Sequence, residues 1–150
     1  MRKHYVMFGL NMLVSTIIMY LVMFEMIRGP GEFVQNINFF YMALTMAMPM
    51  GVLMLLMMGQ MYADKRLNLI IYAALAVIFV LALAAVRTQA LVGDRQFVRS
   101  MIPHHSGAIL MCQQASLKDA EIRDLCFKPT GIVQSQEREI AQMKAVLKRL

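Results

Sequence analysis

The residues with the most chemical capacity lie close together late in the chain, in Met101-Ile-Pro-His104-His105, followed by Met111 and Cys112. On a helix each residue is turned by about 100° from the last, so Met101, His105 and Cys112 project within a narrow arc, and His104 and Met111 form a second strip beside it. One helix thus displays two imidazoles, two thioethers and a thiol. Sulfur with imidazole favours Cu(I), Ag(I) or zinc over hard cations. Met143 is expected to join from a facing helix, with Gln136 and Glu139 accepting hydrogen bonds from imidazole N–H groups. Adjacent histidines diverge, so His105, which shares the strip of Met101 and Cys112, is the first choice of ligand. The bland alternative is a solvated histidine beside core methionines. No carboxylate cluster suits Ca²⁺ or Mg²⁺.

Cys112 and Cys126 admit two readings. On the outer side of a membrane they would form a disulfide, which an even count and an oxidising compartment favour. As free thiols they would strengthen a Cu(I) site. Enzyme chemistry is not expected: no Ser or Cys nucleophile with a base and an orienting acid is legible, and H-E-x-x-H and paired E-x-x-H are missing.

The elements that must position these groups are helices. From Asp94 the apolar residues Phe97, Met101, Ala108, Met111 and Ala115 alternate with polar ones at helical intervals, with Pro103 either restarting or kinking the helix. A short helix through Asp119 to Phe127 follows, capped by Ser116 or Asp119. Lys128-Pro-Thr-Gly131 is a break signal. A last helix over 132–150 carries Ile132, Gln136, Ile140, Met143 and Leu147 along one face, and the simplest packing is an antiparallel hairpin.

Before Arg87 the chain has a different character. Overall 59% of residues are apolar, well above the roughly 45–50% of soluble proteins. Three charge-free stretches, residues 5–24, 39–59 and 67–86, each approach the ~20 residues needed to cross a bilayer. The expected organisation is an all-α chain with a membrane domain over residues 1–86, a linker over 87–93 and a helical domain over 94–150. The first stretch reads as an uncleaved anchor, being too long for a signal peptide and lacking a small-x-small cleavage site. Arg2, Lys3, Lys65 and Arg66 flank the spans on one side, which the positive-inside rule makes cytoplasmic. The expected setting is a bacterial inner membrane, with the last domain in the periplasm or cell exterior.

Methionine is abundant, with 14 of the 17 before Arg87. Met42, Met46, Met50, Met54, Met57 or Met58, and Met61 recur at helical spacing. They are either packing residues or a thioether track for a soft monovalent ion.

The net charge of +6 does not point to nucleic acid, because acidic residues interleave with the basic ones after Arg87. Asp94-Arg-Gln-Phe97, then MIPHHSGAILM from Met101 to Met111, then SQEREIAQM from Ser135 to Met143, resembles the family of domain of unknown function 305. The resemblance implies a small ferritin-like helical bundle and an association with copper binding and tolerance. It assigns a metal role to Met101, His104, His105, Met111 and Met143.

The first expectation is therefore an anchored, outward-facing Cu(I) or Ag(I) protein in copper homeostasis. The second is a component of a metal transport or efflux assembly, in which the methionine-rich spans form a homo-oligomer or meet a partner. A third is a structural membrane protein that holds no metal.

Overall fold

The computed structural model describes residues 2–150, and among these the secondary structure is entirely helical, with no strand. The elements are α1 (Arg2–Val22), α2 (Ile37–Met57), α3 (Lys65–Thr88), α4 (Asp94–Gln114), α5 (Ala120–Phe127) and α6 (Ile132–Arg149), with a 3₁₀ turn at Pro30–Glu32. They divide into two compact units. One comprises the chain up to Met23 with Asn38–Leu91, and the other comprises Phe24–Ile37 with Val92–Leu150. Hydropathy alone assigns the connection between the first two spans to the membrane portion, whereas its residues pack with the later helices. The connection between α1 and α2 thus belongs to the same compact unit as α4.

In the first unit, α1, α2 and α3 are each long and apolar enough to cross a membrane. Their contacts run along one face of α2, where Ala43, Ala47, Gly51 and Leu55 are all buried. Small residues at four-residue spacing let apolar helices approach closely, since lipid supplies no hydrophobic drive between them. A β-carbon on Gly51 would meet the Met12 side chain of α1 at 2.8 Å and Leu75 of α3 at 3.1 Å. Met42, Met46 and Met50 each precede a residue of this face by one position, and one helical step turns them outward; all three are exposed. The turn between α2 and α3 is held by Asp64, which caps α3 by accepting from the Arg66 and Leu67 amides. Tyr5 secures it from α1, donating to Asn68 Oδ1 at 2.8 Å.

In the second unit α4 runs unbroken through Pro103. Its buried seam is Val98, Ile102, His105, Ile109 and Cys112, spaced alternately four and three apart. This is the stripe of a helix packed against an antiparallel or parallel partner. The expected stripe was Phe97, Met101, Ala108, Met111 and Ala115, and it is displaced: Phe97 and Met111 are 53% and 59% exposed. Two nearly equivalent apolar stripes existed, and the branched side chains of Val98, Ile102 and Ile109 fill the seam. On α6, Val133 and Ile140 are buried, and Met143, Val146 and Leu147 pack against the same core.

The hairpin is antiparallel: Ile102 shares a depression with Leu147, and Cys112 shares one with Ile132. Asp119 caps α5. Gly131 makes the turn into α6, where any β-carbon would press to 2.8 Å of the Leu125 carbonyl oxygen and 2.9 Å of that of Cys126.

Candidate metal centre

His105 occupies the middle of the α4 seam, 8% exposed. Burial pushes its imidazole below the usual histidine value of 6.5, with nearby His104 adding to the shift and the Glu139 carboxylate opposing it. The ring is therefore neutral at neutral pH and carries a lone pair for a metal or a proton. Its Nδ1 lies 3.3 Å from Glu139 Oε2, yet the alignment is not that of a hydrogen bond, and this buried atom has no hydrogen-bond partner. The expected Glu139 contact is thus one of proximity. Gln136 does not serve His105, and its buried Oε1 is likewise unpartnered.

The antiparallel register brings the thioethers into play. With His105 opposite Glu139, one turn back along α4 is Met101 and one turn on along α6 is Met143, so the two stand at one level of the hairpin. Both are half-buried. His104 points elsewhere: it is exposed, its ring centroid 5.9 Å from that of His105. Met111 lies on the same outer strip and is also exposed. Five of the six expected ligands therefore fall into two groups, the seam with Met101, His105 and Met143, and the outer strip with His104 and Met111.

Cys112 belongs to neither group, because its sulfur is bonded to Cys126. The bridge removes it from the ligand set and ties α4 to the end of α5, settling the two readings in favour of the disulfide. Among the described residues no group of three or more His, Cys, Asp and Glu side chains converges on one point.

Sequence reasoning missed a polar cluster on a third side of α4. Ser106, fully buried, accepts a hydrogen bond from the Arg28 amide at 2.6 Å and donates to Glu32 Oε2. Glu32 is 5% exposed and pairs with the Arg28 guanidinium at 2.9 Å, which also reaches Glu137 of α6. Burial alone would raise the Glu32 carboxyl, but the Ser106 hydroxyl, Arg28 and Lys144 outweigh it and hold the group below its ordinary value. The cluster binds the connection of residues 24–37 to the helix that carries both histidines. Its only sequence signal was a Glu four residues after an Arg in a short connection, which nothing in local spacing links to Ser106.

The sequence profile of the domain of unknown function DUF305 matches residues 80–147, which takes in the end of α3, all of α4 and α5 and nearly all of α6. The chain is also 36% identical over 119 residues to uncharacterized protein L153 of Acanthamoeba polyphaga mimivirus, covering 78% of this chain and 74% of that protein. That similarity is longer than the profile match, so it extends beyond the DUF305 portion. No solved structure matches. The chain belongs to the DUF305 family, with its MIPHH helix set behind three helices apolar enough to cross a membrane.

Proposed function

We propose that this protein is a membrane-anchored carrier of a soft monovalent metal ion, Cu(I) or Ag(I), held on the extracytoplasmic side for copper homeostasis or tolerance. The observation that carries this reading is the buried His105 ring, whose Nδ1 has no hydrogen-bond partner. A buried polar atom without a partner costs about 1–3 kcal/mol, a cost that a bound ion at the ring or a realigned Glu139 would relieve. Met101 and Met143, level with each other beside it, supply thioethers, and sulfur with neutral imidazole selects the soft, reduced ion. The outward orientation rests on Lys3, Lys65 and Arg66 at one set of span ends. The disulfide accords with an oxidising compartment.

The test is a competition titration of the detergent-purified full chain with Cu(I) against a chromophoric chelator. Replacing Met101 and His105 together by alanine is expected to weaken binding at least about tenfold, the lower end of what altering even a metal site's supporting partners costs. Unchanged affinity in that double variant defeats the assignment. The transport reading requires a different face, since Met46 and Met50 point out of the three-helix unit and would form a path only between copies of the chain. Met46→Leu with Met50→Leu and Met54→Leu separates the two: a carrier keeps its affinity and shows no metal flux in vesicles, whereas a transporter loses flux.

A further inference from the structure

Asn11 interrupts the apolar span of α1 about midway between Lys3 and Val22, which is near the middle of the membrane for a helix that crosses it. It stands one helical step from Met12, which packs with Tyr5, Phe8 and Met19 in the three-helix core, so it lies beside that face and is exposed. Its carboxamide is only partly used. Nδ2 donates to Met54 Sδ at 3.3 Å, a weak acceptor, and Oδ1 accepts from the Ser15 hydroxyl at 3.1 Å. An asparagine amide offers two N–H donors and an oxygen with two lone pairs. One N–H and one lone pair therefore have no partner among the described residues, and acyl chains can supply neither.

The position of Asn11 along the helix is equally telling. Met7, Asn11, Val14, Ile18 and Leu21 follow one another at spacings of four, three, four and three, and all are exposed. This is the heptad seam through which two helices pair in a left-handed supercoil. An exposed apolar stripe alone identifies no partner inside a membrane, because lipid covers it as well. Val6, Leu10, Leu13 and Ile17 make such a stripe on the same helix, equally exposed and wholly apolar. The asparagine distinguishes the two. Copies of one chain inserted in the same direction are related by an axis along the membrane normal, so residue 11 of one copy meets residue 11 of the other. There the unused N–H of each amide faces the unused lone pair of its counterpart. A single asparagine at such a seam position sets register and the number of helices that pair.

We infer that α1 is a homodimerisation helix, whose Met7–Leu21 stripe packs in parallel against the same stripe of a second copy, with the two Asn11 amides bonded at its centre. The occupant is a second copy because the amide requires a group that both donates and accepts at one depth in the membrane. The inference is independent of the metal reading and uses a different helix from the exposed methionines of α2.

The experiment uses full-length chains labelled at the carboxyl terminus with a donor or an acceptor fluorophore, mixed in phosphatidylcholine vesicles. Energy transfer that falls reversibly as lipid dilutes the protein is expected for the wild type. Asn11→Leu is expected to raise the apparent dissociation constant about 5- to 30-fold, the measure of an interhelical hydrogen bond in lipid. Ile18→Ala should weaken association as well, Ile17→Ala should not, and Asn11→Gln should retain more transfer than Asn11→Leu. Val14→Cys leaves Asn11 in place and is expected to cross-link between copies on oxidation, whereas Leu13→Cys is not, which keeps the test decisive if Asn11→Leu disturbs the fold. Transfer absent at every dilution, or unchanged in both Asn11→Leu and Ile18→Ala, overturns the inference, as does equal cross-linking at positions 13 and 14. Transfer lost only in Met46→Leu with Met50→Leu would overturn it in favour of pairing through α2.

Discussion

The two units are both built from helices but turn their side chains in opposite ways. In the three spans only 6%, 28% and 11% of the most apolar window is buried within the chain, and Leu, Ile, Val and Met cover the outside. In the second unit Val98, Ile102, Ile109, Val133 and Ile140 are buried in one seam, while the exterior mixes charged and polar side chains with some apolar ones such as Phe97 and Leu125. The difference lies in the solvent each surface meets. Where lipid is outside, helices associate through the close approach that Ala43, Ala47 and Gly51 allow. Where water is outside, burial of apolar area drives the pairing of α4 with α6. A polar group is then admitted to the core only with partners, as with Glu32, or for a ligand, as we propose for His105.

The sharpest way to break that comparison is to place the same charge on each exterior. Val77→Asp, at the centre of α3, is expected to cost about 3 kcal/mol of membrane insertion, read as the inserted fraction in a glycosylation-site assay. Leu125→Asp, on a comparably exposed residue of α5, is expected to change the unfolding free energy by no more than about 0.5 kcal/mol. Equal effects would mean the first unit does not sit in lipid.

Reducing the Cys112–Cys126 bridge, which closes a loop of 14 residues, is expected to destabilise the second unit by about 2–3 kcal/mol on chain-entropy grounds. The first unit should be unaffected, because the bridge lies wholly outside it. Chemical denaturation with and without reductant, followed by probes in each unit, measures both.

Glu32→Gln should cost about 2 kcal/mol, the range for charge-assisted hydrogen bonds, and it carries a pH signature. The Glu32 carboxyl is held below its ordinary value of 4.5 in the folded chain. Its contribution is therefore fully present above that value and is lost as pH falls through the lower, folded one. The wild type should lose stability across that acidic window, and the glutamine variant should lose less over the same window. Identical acid profiles would show that the cluster contributes nothing.

The smallest expected effect lies at the joint between the units. Leu91 holds a left-handed φ of 59° and is 82% exposed, so Leu91→Gly relieves strain while removing no buried contact. A gain of about 1 kcal/mol or less is expected, offset by the added freedom of the unfolded chain, and thermal unfolding would reveal it.

Sequence periodicity resolved the elements closely: the short helix, the Lys128–Gly131 break and the three apolar spans all appear within a few residues of their expected places. It misassigned the buried stripe of α4, because Phe97–Met101–Ala108 and Val98–Ile102–Ile109 differ by one helical step, and only the partner helix chooses between them. The candidate site was legible as a set of residue types, but its partition was not. Direction around one helix separates His104 from His105, whereas the pairing of Met101 with Met143 depends on hairpin register.

What the sequence determined by itself was set by local composition: which segments are helical, which are apolar enough to cross a membrane, and which carry soft ligands. The tertiary structure alone decided the rest. It paired Cys112 with Cys126, faced Met42, Met46 and Met50 of α2 outward while burying Met48, and brought Glu32 and Met26 onto α4 from a connection more than seventy residues earlier in the chain. The physical reason is that periodicity is a property of neighbours along one helix. Contacts such as Ser106 with Glu32 or Gly107 with Met26 join segments far apart in the chain, which no local spacing can link.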